Sequence, residues 1–531
     1  MTSLRPTSLA LALVLTATTV AADETPTRLG RIEMPNSGAE AAQPVFMKGL
    51  LLLHNFEYED ARAAFREAQT ADADFALAYW GEAMTHNHPL WQRQDRDAAL
   101  EALARLAPTP AERLEKVPTE RERDYLAAVE ALFGEGDKKA RDLDYLEAMR
   151  RLDERYPDDL EAAAFHALAV LGTAHEGRDF TLYMRAAAIV EEVFAENPLH
   201  PGAAHYLIHS YDDPIHAPLG LRAARVYAEI APDAAHAQHM TSHIFVALGM
   251  WDEVVEANLK ARDVQDARRA ELGRGPNVCG HYASWLEYGY LQQGRRDEAR
   301  DLLTACHRRI AEGTDDEAEA WYFARMRARY LFDSGDWDGW ALQLSGDLAA
   351  SPSAEHTYRF TNAYRAVSRG DLVSARRLAD EMQPIRARAK DQEDDDSEVL
   401  AIQAAELAGL IELASGNREG GLAALRQAAD AEQSMPFMFG PPAVVKPAHE
   451  LLGEALLEGG DAEAALVAFK AALARAPRRT TSLLGLARAA AEIGDEVTAA
   501  ETYATLEQIW RHAETPPVDT RAGAAERSTS P

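Results

Sequence analysis

The stretch VKPAHELLGEALLEGGDAEAALVAFKAALARAP, Val445 to Pro477, decides the fold. Its apolar residues recur at three- and four-residue spacing, the pattern of amphipathic helices. Pro477 closes the unit, because proline cannot continue a helix. Gly453 and Ala465 are small enough to let two helices approach closely, and Phe469 fills the space between them. One such hairpin leaves an apolar side exposed, so it must stack on neighbours.

The same template extends outward. It fits GLLLLHNFEYEDARAAFREAQTAD through Gly49, Ala61, Phe65 and Ala68. It fits YASWLEYGYLQQGRRDEARDLLTAC through Leu286, Tyr290, Gly294 and Ala299, and the last helical stretch through Leu486, Ala499 and Tyr503. Helix stops recur at Tyr156-Pro157, Asn197-Pro198, Ala231-Pro232 and Ala476-Pro477, and strand signals are nearly absent. On these residues the chain resembles tetratricopeptide-repeat proteins. The resemblance implies an all-α fold, a right-handed α-solenoid of about a dozen antiparallel helix pairs at the 34-residue period. It divides the chain into a degenerate repeat array over 42–433 with a histidine-rich concave face, and C-terminal repeats over 445–512. Residues 86–120, 383–397 and 434–444 do not fit and read as insertions or irregular loops. In the last of these, Phe439 to Pro442 reads as a rigid turn without chemistry.

The first residues hold Arg5, an apolar run from Leu9 to Val20, and the small residues Ala21 and Ala22. That is a secretory signal over 1–22, which places the mature protein in the periplasm or outside the cell. The run is shorter than the ~20 residues a membrane span needs. Residues 513–531 are polar and proline-rich and read as a disordered tail. The net charge is −31, from 86 acidic against 55 basic residues, which argues against nucleic acid as a partner. Cys279 and Cys306, the only two cysteines, fall at similar height in one hairpin, either as a disulfide or as two buried thiols. The acidic loop Asp391–Asp396 reads as a solvated linker rather than a calcium site.

Chemistry concentrates in the middle. Seven of the 17 histidines lie between His200 and His243. His205 and His209 are one helical turn apart, and so are His239 and His243, with His236 just before them. In the tetratricopeptide frame the first helix of each pair turns one stripe toward the groove. That frame puts His205, His209 and Asp212 on one such stripe and His236, His239 and His243 on the next. It puts His54, Trp80, His88 and His281 on the same face in other repeats, and Glu82 one turn before His86. Imidazoles at i and i+4 share one helix face and can hold one ion. His205, His209, His239 and His243, with Asp212 as an oxygen donor, therefore form a candidate set for a divalent transition metal such as Zn, Cu or Fe. His54, Trp80, Glu82, His88, His236 and His281 are candidate ligand-binding residues. No GxSxG elbow, HExxH or phosphate loop is present.

The combination LHNFEYEDA, YWGEAMTHNHPLW, HYLIHSYDDPIHA and HMTSHIFVALGMW is similar to a type of exported bacterial tetratricopeptide protein, a resemblance that implies fold and export but no reaction. Two readings follow. One is a scaffold that holds a peptide, protein or small ligand in a histidine-rich groove. The other is a metal-binding protein or metalloenzyme using histidine pairs on adjacent helices. Oligomeric state stays open.

Overall fold

The computed structural model describes residues 28–513, apart from 314, 315, 338–347, 349, 350 and 393. The leader expected at 1–22 and, beyond Ala513, the tail expected at 513–531 lie outside the described residues. Among the described residues regular structure is helical, except for Asn87–His88 pairing antiparallel with Arg93–Gln94. No helix among them is long and apolar enough to cross a membrane.

Helices follow one another as antiparallel hairpins. Gln43–His54 packs on Tyr58–Ala71, Leu160–Gly172 on Phe180–Glu196, and Pro201–Tyr211 on Ala217–Ile230. Ala235–Leu248 packs on Trp251–Glu271, His281–Gln292 on Arg296–Ala311, and Ala448–Glu458 on Ala462–Arg475. Some starts are set by side chains that accept from otherwise unbonded first-turn N–H groups, as Asp159 does from Ala162 N and Asp461 from Ala464 N. Phe469 sits fully buried between the C-terminal hairpins. A Cβ on Gly485 would come within 2.2 Å of its ring, and one on Gly453 within 2.9 Å, so only hydrogen fits at either position.

The stack does not stay open. At the N-terminal end Arg31 N donates to Leu199 O at 2.9 Å, and Tyr227 donates its hydroxyl to Asn55 at 2.8 Å. Arg268 pairs with Asp60 and Arg274 with Glu59 at 2.8 Å, tying Tyr58–Ala71 to the end of Trp251–Glu271 and the turn after it. At the C-terminal end Trp251 donates to Arg478 O, and Trp510 donates to Gln292 O, both at 3.1 Å. Arg479 is buried between Asp333 and Glu450. Both ends of the array thus land on its middle repeats, and the concave face expected from the sequence is filled by protein.

Two expectations change in detail. The stretch 383–397, read as irregular, is helical in its first part, because the helix Leu372–Asp391 runs on through Pro384. Asp394 accepts from Ser353 and Asp396 from the Trp321 ring nitrogen, so these acids are spent on neighbours. The next helix begins at Ala217, and Asp213 before it accepts from Ile215 N, His216 N and the His216 ring. Cys279 and Cys306 form a disulfide that ties the segment before His281 to Arg296–Ala311.

Two stability outcomes follow. Phe469→Ala should cost about 3–5 kcal/mol in denaturant unfolding, the usual penalty for emptying a phenylalanine site in a core. Burial raises the Glu432 carboxyl to about 7, against the pull of Ala448 N–H and Arg475. The folded chain therefore keeps this proton above the pH at which the unfolded chain releases it, and stability from this group falls as pH rises from about 4.5 to about 7. Glu432→Gln should flatten that fall, gaining on the order of 2–3 kcal/mol over the parent at pH 8 and almost nothing at pH 4.5. Urea melts at both pH values measure the difference.

Candidate metal centre

Three consecutive hairpins supply the site from their leading helices. Pro201–Tyr211 carries His205 and His209, and starts at His200, whose Nδ1 accepts from Ala203 N at 3.1 Å. Ala235–Leu248 carries His236, His239 and His243, and its first turn is anchored by His236 N donating to Glu57 at 2.9 Å. His281–Gln292 opens with His281, two residues after the disulfide. The one-turn spacing puts His205 and His209 rings 4.9 Å apart and His239 and His243 rings 5.0 Å apart.

His239, His243 and His281 converge through the same atom. His239 Nε2 lies 3.1 Å from His243 Nε2 and 2.9 Å from His281 Nε2. Each opposite nitrogen has its own partner. His239 Nδ1 meets Asn258 Oδ1 at 2.8 Å, His243 Nδ1 meets Asp212 Oδ2 at 2.9 Å, and His281 Nδ1 meets the Tyr322 hydroxyl at 3.1 Å. Asn258 donates its Nδ2 to Val254 O, which fixes its oxygen toward His239. A carboxylate and an amide oxygen only accept, so His239 and His243 carry their protons on Nδ1. Their Nε2 lone pairs then face each other at hydrogen-bond distance with no proton between them. A cation resolves that opposition, and tetrahedral bonds of about 2.0–2.1 Å to nitrogen bring ligand atoms to about this separation.

A second trio sits beside the first. His205, His209 and His236 each bring a ring nitrogen within 4.8 Å of the others. The Nε2 atoms of all three are buried and have no hydrogen-bond partner. His205 donates Nδ1–H to His54 O at 2.7 Å, and His209 Nδ1 lies 3.3 Å from Asp212 Oδ2. The two trios touch: the His209 and His243 rings are 5.4 Å apart and the His236 and His239 rings 6.1 Å.

Asp212 stands between them. Its Oδ2 faces His209 and His243, and its other oxygen is taken by Arg178, whose guanidinium also reaches Asp213 at 3.4 Å. Burial alone would raise this carboxyl, but Arg178 and the two rings outweigh it and hold it well below the usual carboxylate range. Burial, reinforced by neighbouring imidazoles, pushes His205, His236 and His239 well below an ordinary histidine; it lowers His209 to about 4 and His281 to about 3. These rings are neutral at physiological pH, the form that ligates metal.

Aromatic side chains wall the cluster. Trp285 stacks on His243 at 4.6 Å, and Phe439 lies against the opposite side at 5.1 Å. Phe56 meets His205 edge-on at 4.3 Å, and Trp91 reaches His236 at 6.3 Å. The turn Phe439 to Pro442, read from sequence as stiff and inert, is the roof of the site. Gly440 has φ +92° and approaches Trp285 so closely that a Cβ would fall 2.4 Å from the ring. Asn258 and Tyr322 were not legible as site residues; both come from helices whose placement only the folded array reveals.

Other expected site residues lie elsewhere. Trp80 is core, edge-on to Tyr125 and Phe165. Glu82 does not pair with His86: its buried carboxylate binds Arg66 at 2.7 Å, Gln69 at 2.6 Å, and Arg105. His88 stacks on Tyr58 at 4.1 Å, at the rim of the short hairpin. His54 faces away from both trios. Its Nε2 donates to Glu161 at 2.6 Å and its Nδ1 accepts from the Tyr206 hydroxyl at 2.9 Å, while His200 Nε2 approaches Glu161 at 3.3 Å. Burial would raise Glu161, and the two rings reverse that and keep it ionised. This third group thus has both His54 nitrogens spoken for. Asp212, expected as an oxygen ligand, does lie with His209 and His243, their ligand atoms within 4.8 Å of one another, and its Oδ2 faces the Nδ1 of both rings.

No family model and no curated protein matches the chain. Among solved structures it is similar to yeast Tom70, at 12% identity and TM-score 0.34 over 86% of this chain and 96% of that one. It is similar to human IFIT1 bound to m7Gppp-AAAA, at 13% identity and TM-score 0.33 over 94% of this chain and 92% of that one. It is also similar to Cut9 of the APC/C Cut9–Hcn1 hetero-tetramer, at 13% identity and TM-score 0.35 over 87% of this chain and 79% of that one.

Proposed function

We propose that this protein is an exported metal-binding protein that holds a transition ion on His239, His243 and His281. One observation carries the reading: His239 and His243 each direct a bare Nε2 at the other, 3.1 Å apart, with both Nδ1 protons committed elsewhere. An all-imidazole donor set with no thiolate suits zinc or copper better than calcium or magnesium. Three protein ligands leave a fourth position for water or a small ligand. A bound ion there would supply Lewis acidity, or electron transfer if it is copper. The chain's part is to exclude water with Trp285 and Phe439 and to fix each ring through Asn258, Asp212 and Tyr322. The leader over 1–22 supports export, and the Cys279–Cys306 disulfide fits an oxidising compartment. The helical repeats act as the scaffold that registers three helices. A peptide in a histidine-lined groove is the weaker reading, since His239 and His243 are 0% and 2% exposed.

Elemental analysis of chain stripped with chelator and reloaded with Zn(II) or Cu(II) tests this. The intact chain should retain a stoichiometric ion after desalting, and His243→Ala with His281→Ala should lose it. Asn258→Ala should weaken retention about 10- to 100-fold, the usual effect of removing a partner that orients a ligating ring. A reloaded, folded chain that holds no ion of either metal would sink the proposal.

A further inference from the structure

Resting on that reading, we infer that His205, His209 and His236 hold a second ion, so that the protein carries a two-ion centre of six imidazoles in which one ring of each trio is oriented by a shared carboxylate. Three facts support the second position independently of the first. The Nε2 atoms of all three rings are buried without a hydrogen-bond partner, which is costly for a polar atom. Their ring nitrogens fall within one ligand shell, inside 4.8 Å of each other. His205 and His209 turn Nδ1 toward acceptors, His54 O at 2.7 Å and Asp212 Oδ2 at 3.3 Å, which leaves Nε2 as the free lone pair. The group His54, Glu161 and His200 shows the contrast. It too is buried, but it joins two imidazoles to a carboxylate, and that carboxylate already occupies the space between the rings.

Asp212 makes the two positions one unit. Its Oδ2 faces the Nδ1 of one ring from each trio, His209 and His243. Arg178 offsets its charge, so six imidazole donors and a neutralised carboxylate surround the ions. Such a centre keeps a net positive charge in a dry site and draws a small anion, hydroxide the simplest, to the open positions of the two ions.

Metal stoichiometry and spin coupling test the inference on the full-length chain. Titrating stripped protein with Zn(II) alone should give two ions per chain. His205→Gln with His236→Gln should leave one, and His239→Gln with His281→Gln should also leave one. Asp212→Asn should lower both affinities about 10- to 100-fold, where Asn258→Ala lowers only one. Loaded with two equivalents of Cu(II), the parent should show a broadened or diminished electron paramagnetic resonance signal from neighbouring spins. The His205→Gln/His236→Gln variant should show an isolated Cu(II) spectrum. One ion in the parent, lost with His239 and His281 but indifferent to His205 and His236, would overturn the second position and leave the first standing. Two ions with wholly independent spectra would overturn the shared centre. No ion at all would overturn both. The parent stoichiometry needs no variant to fold, and circular dichroism melts confirm that each variant has.

Discussion

A ring nitrogen that has given its proton to a fixed acceptor can only offer a lone pair on the other side, and this structure arranges that constraint repeatedly in one small volume. Asn258 and the His54 carbonyl each pin the Nδ1–H of one ring, Asp212 faces the Nδ1 of two, and the opposite nitrogens then point inward. Buried imidazoles usually resolve such crowding by tautomer exchange or by protonation. The first is blocked by acceptors that cannot donate. The second is opposed by burial, which lowers His205, His236 and His239 well below their ordinary value. What remains is a demand for positive charge at the points where lone pairs meet.

Helical repeats answer a geometric problem that this demand poses. Ligands one turn apart on a helix are easy to specify, but bringing rings from separate helices to within 3 Å requires fixed register between them. Stacked hairpins provide it, because each helix is held on both sides by small residues and interlocking rings. The two ends of the array then fold back on the middle. The N-terminal pair brings Phe56 and the carbonyl of His54, and the C-terminal region brings Phe439 and Gly440. A surface that a simpler solenoid would leave to solvent becomes an interior.

The fold was legible from periodicity, since Gly453, Ala465, Phe469 and the recurring proline stops obey short-range rules. The candidate site was half legible. Spacing of four residues marked His205 with His209 and His239 with His243, and the repeat frame set their helices side by side. It was silent on depth: whether a stripe faces water or protein depends on contacts across hundreds of residues, such as Trp251 with Arg478. For the same reason His281 and His236 read as groove residues although their rings belong with the other imidazoles. Trp80 and Glu82 misled because a repeat frame gives a direction and not a neighbour; Arg66 and Arg105 claim Glu82 before any ligand can. Asn258, Tyr322 and Arg178 have no local signature at all.

The roof over the imidazoles has a kinetic meaning. Phe439-Gly440-Pro441-Pro442 is a turn stiffened by two prolines and pressed on Trp285. Passage over the roof therefore waits until the C-terminal hairpins loosen as a body. Exchange would instead run past the partly exposed ring of His281, so that side chain, and not the turn above it, would set how long an occupant stays.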